Sequence, residues 1–190
     1  MTYTVWGDSI SQGYSPFLAA RLGEEGYVFR PYGDNCEDSR KLLSHAEAEF
    51  AAGNITQDLL VVNAGLHDIK RYPGAAGCQV EPEAYALNLD ALFTLAARAG
   101  ARVLFVNTTW VADELHNARC GEFRRFDSDV RRLNEIAAAV CEQHGVPLAD
   151  LYAYTKSYGP GEFVDHVHYT PGMSRLQAAF IAAHILRGDV

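Results

Sequence analysis

No apolar run in this 190-residue chain approaches the roughly 18 residues that a membrane helix needs, so no transmembrane span is expected. A basic surplus is also missing: 16 Lys and Arg stand against 24 Asp and Glu, a formal net charge of −8. Nucleic-acid binders carry a basic footprint and anionic membranes attract one, so neither is an expected partner. No basic-then-apolar leader precedes the first strand-like run, which points to a cytoplasmic protein. There are no repeats, no low-complexity segments and no linker, which leaves residues 1–190 as one domain of ordinary size. The four cysteines, Cys36, Cys78, Cys120 and Cys141, show no C-x-x-C spacing, and a zinc site is not expected from them. Two readings stay open for these thiols. All four are reduced, or Cys78 and Cys120, each in a long loop, form a disulfide.

What the chain does have is apolar content, 48%, arranged in alternating strand-like and helix-like segments. Strands are expected over 2–7, 27–32, 58–65, 101–109 and 146–152. Helices are expected over 15–26, with Ser15 as cap and Pro16 in the first turn, and over 38–53, 81–100, 123–145 and 170–186. The runs at 58–65 and 101–109 are continuously apolar, as for strands covered on both faces. Long loops fill 66–80 and 110–123. Five strands alternating with helices imply a parallel sheet with helices on both sides, and such sheets bind ligands at the carboxyl ends of their strands.

The residues able to do chemistry cluster just after those strands. Ser9 follows the first, in "WGDSISQGY". His67 and Asp68 follow the third, in "NAGLHDIKRY". Asn107, Thr108 and Trp110 follow the fourth and are candidates to line a substrate pocket, with Gly33 beside them. Near the far end, "VDHVHYTPGMS" sets Asp165 three residues before His168. A carboxylate there can fix the imidazole's tautomer while the other ring nitrogen meets a serine hydroxyl. His166 competes for the same role. Asp8 reads as a turn-stabilising acid. The Arg pairs at 124–125 and 131–132 read as a solvated helix face. Tyr72, Tyr158 and Phe163 are packing residues or sugar contacts.

Taken together, "GDSI" around Ser9, "GLHDI" at 65–69 and "DHVH" at 165–168 resemble the SGNH (GDSL-type) hydrolase family, in the family's order and across nearly the whole chain. The resemblance implies an α/β, three-layer α/β/α, flavodoxin-like fold with a five-stranded parallel sheet of order 2-1-3-4-5. It implies that Ser9 is the nucleophile, His168 the general base and Asp165 its orienting acid, with an oxyanion hole formed by the Ser9 amide, a second-block amide and His67. It calls for no metal and no organic cofactor, and for a small-molecule or glycan ester as substrate.

Two departures from the family pattern matter. His67 stands where the family has asparagine, and an imidazole N–H can donate in place of the amide. The second block usually offers a glycine amide followed by a small hydroxyl residue. If Ser39 is that hydroxyl, the donor is the amide of Glu37; if the glycine is Gly33, the loop is longer. Asp68 is expected to brace the first-block loop. The resulting expectation is a serine esterase for short acyl groups, acetyl on a sugar for example. A thioesterase or lysophospholipase is the enzymatic alternative. A non-catalytic binding domain on the same fold is the other. A phospho-receiver is disfavoured, because strand three ends in Asn63 where such a domain needs aspartate.

Overall fold

The structure, a computed structural model, describes residues 1–188. Five parallel strands form one sheet: β1 (Thr2–Trp6), β2 (Val28–Phe29), β3 (Leu59–Val62), β4 (Arg102–Val106) and β5 (Leu148–Ala149). Their order is β2-β1-β3-β4-β5, as the family resemblance implied. In register, Tyr3 lies opposite Leu59, and Leu60 opposite Val103. All four residues of β3 are fully buried, because helices cover both faces of the sheet. Each such side chain contributes roughly 1.5–3 kcal/mol by leaving water.

Seven α-helices among the described residues complete the layers: α1 (Ser9–Gly23), α2 (Ser39–Ala51), α3 (Pro82–Arg98), α4 (Asp113–Arg119), α5 (Asp127–His144), α6 (Leu151–Lys156) and α7 (Pro171–Leu186). One group packs α1 and α6 on α7; another packs α3 between α2 and α5. Helix α2 is capped by Asp38 and α7 by Thr170. Asp38 accepts from Arg40 and Lys41, and Thr170 accepts from Met173. Among the described residues, no helix is long and apolar enough to cross a membrane.

Several boundaries differ from the sequence expectation. Helix α1 begins at Ser9, not Ser15, so Pro16 lies inside it. Asp8 supplies the cap, and the Ser15 hydroxyl turns back to the Ser11 carbonyl instead of capping. Pro16 then forfeits one interior hydrogen bond, a loss that the buried face of α1 (Tyr14, Leu18, Leu22) outweighs. The edge strands β2 and β5 are two residues each. Asp150 ends β5 by capping α6, accepting from the Ala153 amide. The loop expected over 110–123 contains α4. Helix α5 starts at Asp127, not Phe123, because Arg124 pairs with Arg71 as an isolated antiparallel bridge, with both N–H···O distances 2.9 Å. That bridge joins the two long loops. All four cysteines are free. The Cys78–Cys120 bridge does not form: Cys78 lies beside Arg71 and Asp129, and Cys120 beside His116 and His166.

Gly65 shows how tightly the carboxyl edge is built. Its φ is +136°, and a Cβ there would lie 2.1 Å from Thr108 Oγ1. That hydroxyl donates to the Ala64 carbonyl at 2.6 Å. Gly65→Ala therefore combines backbone strain with overlap in a packed site, and a loss of about 2–4 kcal/mol is expected in urea unfolding. Gly100→Ala, at φ +69° but in open space, is the control and should lose about 1 kcal/mol. Equal losses would show that overlap with Thr108 is not the cause.

Candidate active site

Gly7 ends β1 and has no room for a side chain: a Cβ would stand 2.8 Å from Ser11 Oγ and 3.0 Å from Asn63 Cβ. Asp8 follows, fully buried, with Oδ1 accepting from the Ile10 amide at 2.9 Å. Ser9 is thus the first residue of α1, at the positive end of the helix dipole. Its amide is one of the first-turn donors that a helix leaves unpaired.

The far end of the chain supplies a small hairpin. Phe163 and Tyr169 bridge its base, and the Val164 amide donates to the His168 carbonyl at 2.8 Å. Inside it, Asp165 Oδ1 accepts the Val167 and His168 amides, both at 2.8 Å. Asp165 Oδ2 lies 2.7 Å from His168 Nδ1, and His168 Nε2 lies 2.8 Å from Ser9 Oγ. Ser9, His168 and Asp165 therefore form one hydrogen-bonded line. With the ring proton on Nδ1 facing the carboxylate, Nε2 accepts and the Ser9 hydroxyl donates. Burial opposes the Asp165 charge, but the His168 and Val167 amides and the His168 ring hold its carboxyl well below the usual carboxylate range. The side chains of His168 and Asp165 are 41% and 44% exposed, so the site is open and shallow. His166 does not compete for Ser9. Its Nδ1 meets His116 Nδ1 at 2.9 Å.

The third block sits after β3. His67 is half-buried, and burial, with Lys70 and Arg125 adding to it, pushes its imidazole down to about 4, so the ring is neutral at pH 7. Its Nδ1 is buried with no protein partner. A neutral imidazole can donate one hydrogen bond, as an asparagine amide would. Asp68 braces a different loop from the one expected. Its carboxylate accepts the Ser39 amide at 3.0 Å and the Ser39 hydroxyl, so it clamps the second block, not the first. Ser39 also accepts from Asn88 Nδ2 at 2.8 Å. Burial pushes the Asp68 carboxyl up to about 6.

In the second block, Cys36 donates its amide to the Gly7 carbonyl at 2.9 Å, which ties this loop to the Ser9 turn. Glu37 has φ +50°, the one left-handed non-glycine among the described residues. That is the conformation for which a glycine is the default choice, and it favours Glu37 over Gly33 as the counterpart of the family glycine. Gly33 is exposed, and nothing lies within 4 Å of a Cβ placed there. The Glu37 amide, however, donates to Asn35 Oδ1 at 2.8 Å.

The expected pocket residues are mostly engaged internally. Asn107 donates to Asp150 Oδ1 and accepts from the Tyr152 amide. Thr108 exchanges backbone hydrogen bonds with the Asn134 side chain. Trp110 is buried and packs on Phe163 at 5.2 Å. Tyr72 lines a cleft of about 480 Å³ with Phe123 and Phe126, bordered by Arg71, Arg124 and Cys120. Arg131 and Arg132 are exposed, as a solvated helix face requires.

Arg125 is the residue that the sequence reading missed. It is 3% exposed, donates from Nε to the Leu66 carbonyl at 2.7 Å and lies over the Phe123 ring at 4.8 Å. Its charge acts on Asp8 and on His67. The signal was present in "FRRF": aromatic residues flank the pair, which an exposed helix face does not need.

A hydroxyl–imidazole–carboxylate line at the carboxyl edge of an α/β/α sandwich defines a hydrolase. The model of the GDSL-like lipase/acylhydrolase family matches residues 5–176, and the chain belongs to that family as a carboxylic ester hydrolase. No curated protein matches the sequence. Among solved structures, the fold is similar to a lipase/acylhydrolase from Enterococcus faecalis, at TM-score 0.76 and 19% identity, covering 97% of this chain and 94% of that one. It is similar to TesA, at 0.72 and 22%, covering 96% and 97%. It is also similar to the psychrotrophic esterase EstA from Pseudoalteromonas sp., at 0.73 and 14%, covering 98% and 97%.

Burial of His67 makes stability depend on pH. Between about pH 6.5 and 4 the unfolded chain takes up a proton at this position and the folded chain does not, so this residue's contribution to stability is lost as pH falls through that window. In NMR titration the His67 ring should have its midpoint near pH 4. A midpoint near 6.5 would mean a solvated, protonatable ring. His67→Asn should leave the acid limb of activity unmoved between pH 5 and 8.

Proposed function

We propose that the protein hydrolyses short-chain, acetyl-type esters through an acyl-enzyme on Ser9, with O-acetylated carbohydrate as the natural substrate class. The observation that carries this reading is the line Ser9 Oγ–His168 Nε2–His168 Nδ1–Asp165 Oδ2. His168 takes the Ser9 proton as Oγ attacks the ester carbonyl. Asp165 holds the imidazole in the required tautomer and stabilises the imidazolium. The oxyanion is received by the Ser9 amide, at the positive end of α1, and by neutral His67. The Glu37 amide is the third donor once the oxyanion displaces Asn35 Oδ1 from it. His168 then protonates the leaving alcohol. Water, deprotonated by the same nitrogen, releases the acid and restores Ser9. Asp8 and Asp68 support this machinery by holding the Ser9 turn and the second block.

Support for a short acyl group comes from exposure. Each CH₂ withdrawn from water is worth about 0.8 kcal/mol, and a site whose acid and base are two-fifths exposed offers little of that. Support for a sugar alcohol comes from the cleft that Cys120 borders, where exposed Tyr72 offers an aromatic face and Arg124 a cation.

Ser9→Ala should lower kcat for p-nitrophenyl acetate by about 10⁴-fold or more, and Asp165→Asn by roughly 10²–10⁴-fold, with little change in melting temperature. A phosphonate probe should label wild type at Ser9 and leave the Ala variant unlabelled. No adduct and no turnover in the wild type would turn the reading toward a binding domain. Across p-nitrophenyl esters of rising length, kcat/KM should peak at two to about four carbons. A peak at about eight or beyond would favour the lysophospholipase or thioesterase alternative.

A further inference from the structure

A second cluster of chemically active side chains lies beside the catalytic hairpin and plays no part in the line just described. His116 and Cys120 are one turn apart at the end of α4. His166 projects from the hairpin between Asp165 and His168. One ligand-capable atom from each of the three lies within 4.8 Å of the others. The closest approach is His116 Nδ1 to His166 Nδ1, 2.9 Å. His116 is fully buried, and its Nε2 has no partner. Two imidazole nitrogens this close, with a free thiol beside them, make a cluster of ligand-capable atoms.

We propose that His116, Cys120 and His166 form a binding site for a transition-metal dication of the zinc class, one per chain. Two imidazoles and a thiolate are the ligands that zinc prefers, and three protein ligands leave a fourth position for water. The geometry requires only small adjustments. Tetrahedral zinc with bonds of about 2.05 Å to nitrogen sets its nitrogens about 3.3 Å apart, so the two rings separate by a few tenths of an ångström. Cys120 is half-buried and free, and its Sγ lies within 4.8 Å of a nitrogen of each imidazole. On binding, the Cys120 thiol gives its proton to solvent. Each imidazole stays neutral, its proton on the nitrogen that faces away from the metal. Asp165 is not a ligand, since Oδ1 is occupied by two amides and Oδ2 by the His168 ring. Arg125 lies near enough to both histidines to count against a dication. The Cys120 thiolate and the Asp165 carboxylate offset that charge.

The bound metal would tie α4, which ends in the Cys120 wall of the cleft, to the hairpin that carries the acid and base. It takes no part in ester cleavage. Sequence spacing hides such a site, because H-x-x-x-C and a distant histidine match no common metal motif.

Cobalt reports on the thiolate ligand. Chelator-treated protein titrated with Co²⁺ should develop a thiolate-to-cobalt charge-transfer band in the near ultraviolet, saturating at one equivalent and bleached by Zn²⁺. Cys120→Ser should abolish the band and weaken Zn²⁺ binding at least about 100-fold. His166→Asn should weaken binding similarly. His168→Asn should retain the band, which separates this site from metal capture by the Ser9–His168–Asp165 line. At a hundred times its Kd, Zn²⁺ should raise the melting temperature of the wild type by roughly 5–10 °C and that of Cys120→Ser by much less. Absence of the band in the wild type, or its survival in Cys120→Ser, overturns the proposal.

Discussion

The buried carboxylate of Asp8 sets the position of everything around Ser9. Taking a charge out of water is expensive, and burial pushes this carboxyl's pKa up. Three features work against that rise: the Ile10 amide on Oδ1, the amino end of α1 and the positive guanidinium of Arg125. In return the cap fixes where α1 starts. A helix beginning at Ser15 would leave Ser9 in a loop, with its hydroxyl free to wander and its amide aimed by nothing. Starting at Ser9, the helix presents both in one direction. Gly7 makes that start reachable, because its missing side chain lets the chain turn against Ser11 and Asn63.

Three aspartates do three different jobs at this edge, and their surroundings decide which. Asp165 accepts two amides and an imidazole, so its charge is favoured despite burial. Asp68 receives the Ser39 amide and hydroxyl in a more deeply buried place, and burial pushes its carboxyl up instead. Asp8 has one oxygen capped and the other with no protein partner. Asp68 clamps the second block and Asp8 starts α1, with the Cys36 amide on the Gly7 carbonyl joining the two. The loops that carry Ser9 and Glu37 are thus joined by a backbone hydrogen bond and braced by two buried carboxylates.

The central sheet was legible because burial on both faces leaves an unmistakable apolar run at β3 and β4, and because Gly65 and Gly100 mark where segments end. Ser9, Asp165 and His168 were legible because each stands in a short block with a distinctive neighbour. The misses share a physical cause. Ser15-Pro16 is a good helix start locally, and only the tertiary demand on Asp8 overrides it. Helix α4 is seven residues long and too short to show periodicity. Arg125 was judged by charge alone, when its neighbours Phe123 and Phe126 spoke of a buried cation. The role of Asp68 depended on where Ser39 would be, a contact across 29 positions that no local pattern encodes.

The distance between Ser9 and His168 is governed by helix packing and not by the loops that carry the chemistry. The hairpin of residues 163–169 runs directly into Thr170, the cap of α7, and Thr170 is pinned to Glu162 through both its amide and its hydroxyl. The hairpin therefore moves with α7. Ser9 is the first residue of α1, so it moves with α1. These two helices pack on each other, and at Gly13 a Cβ would already touch Ser174 Oγ at 3.5 Å, so the contact is close where both residues are small. A 2.8 Å hydrogen bond between residues 159 positions apart is then a consequence of two rigid rods fixed side by side. The same logic explains how His168 can stand 41% exposed and still be held in place: its position is set from beneath, by α7 and Asp165.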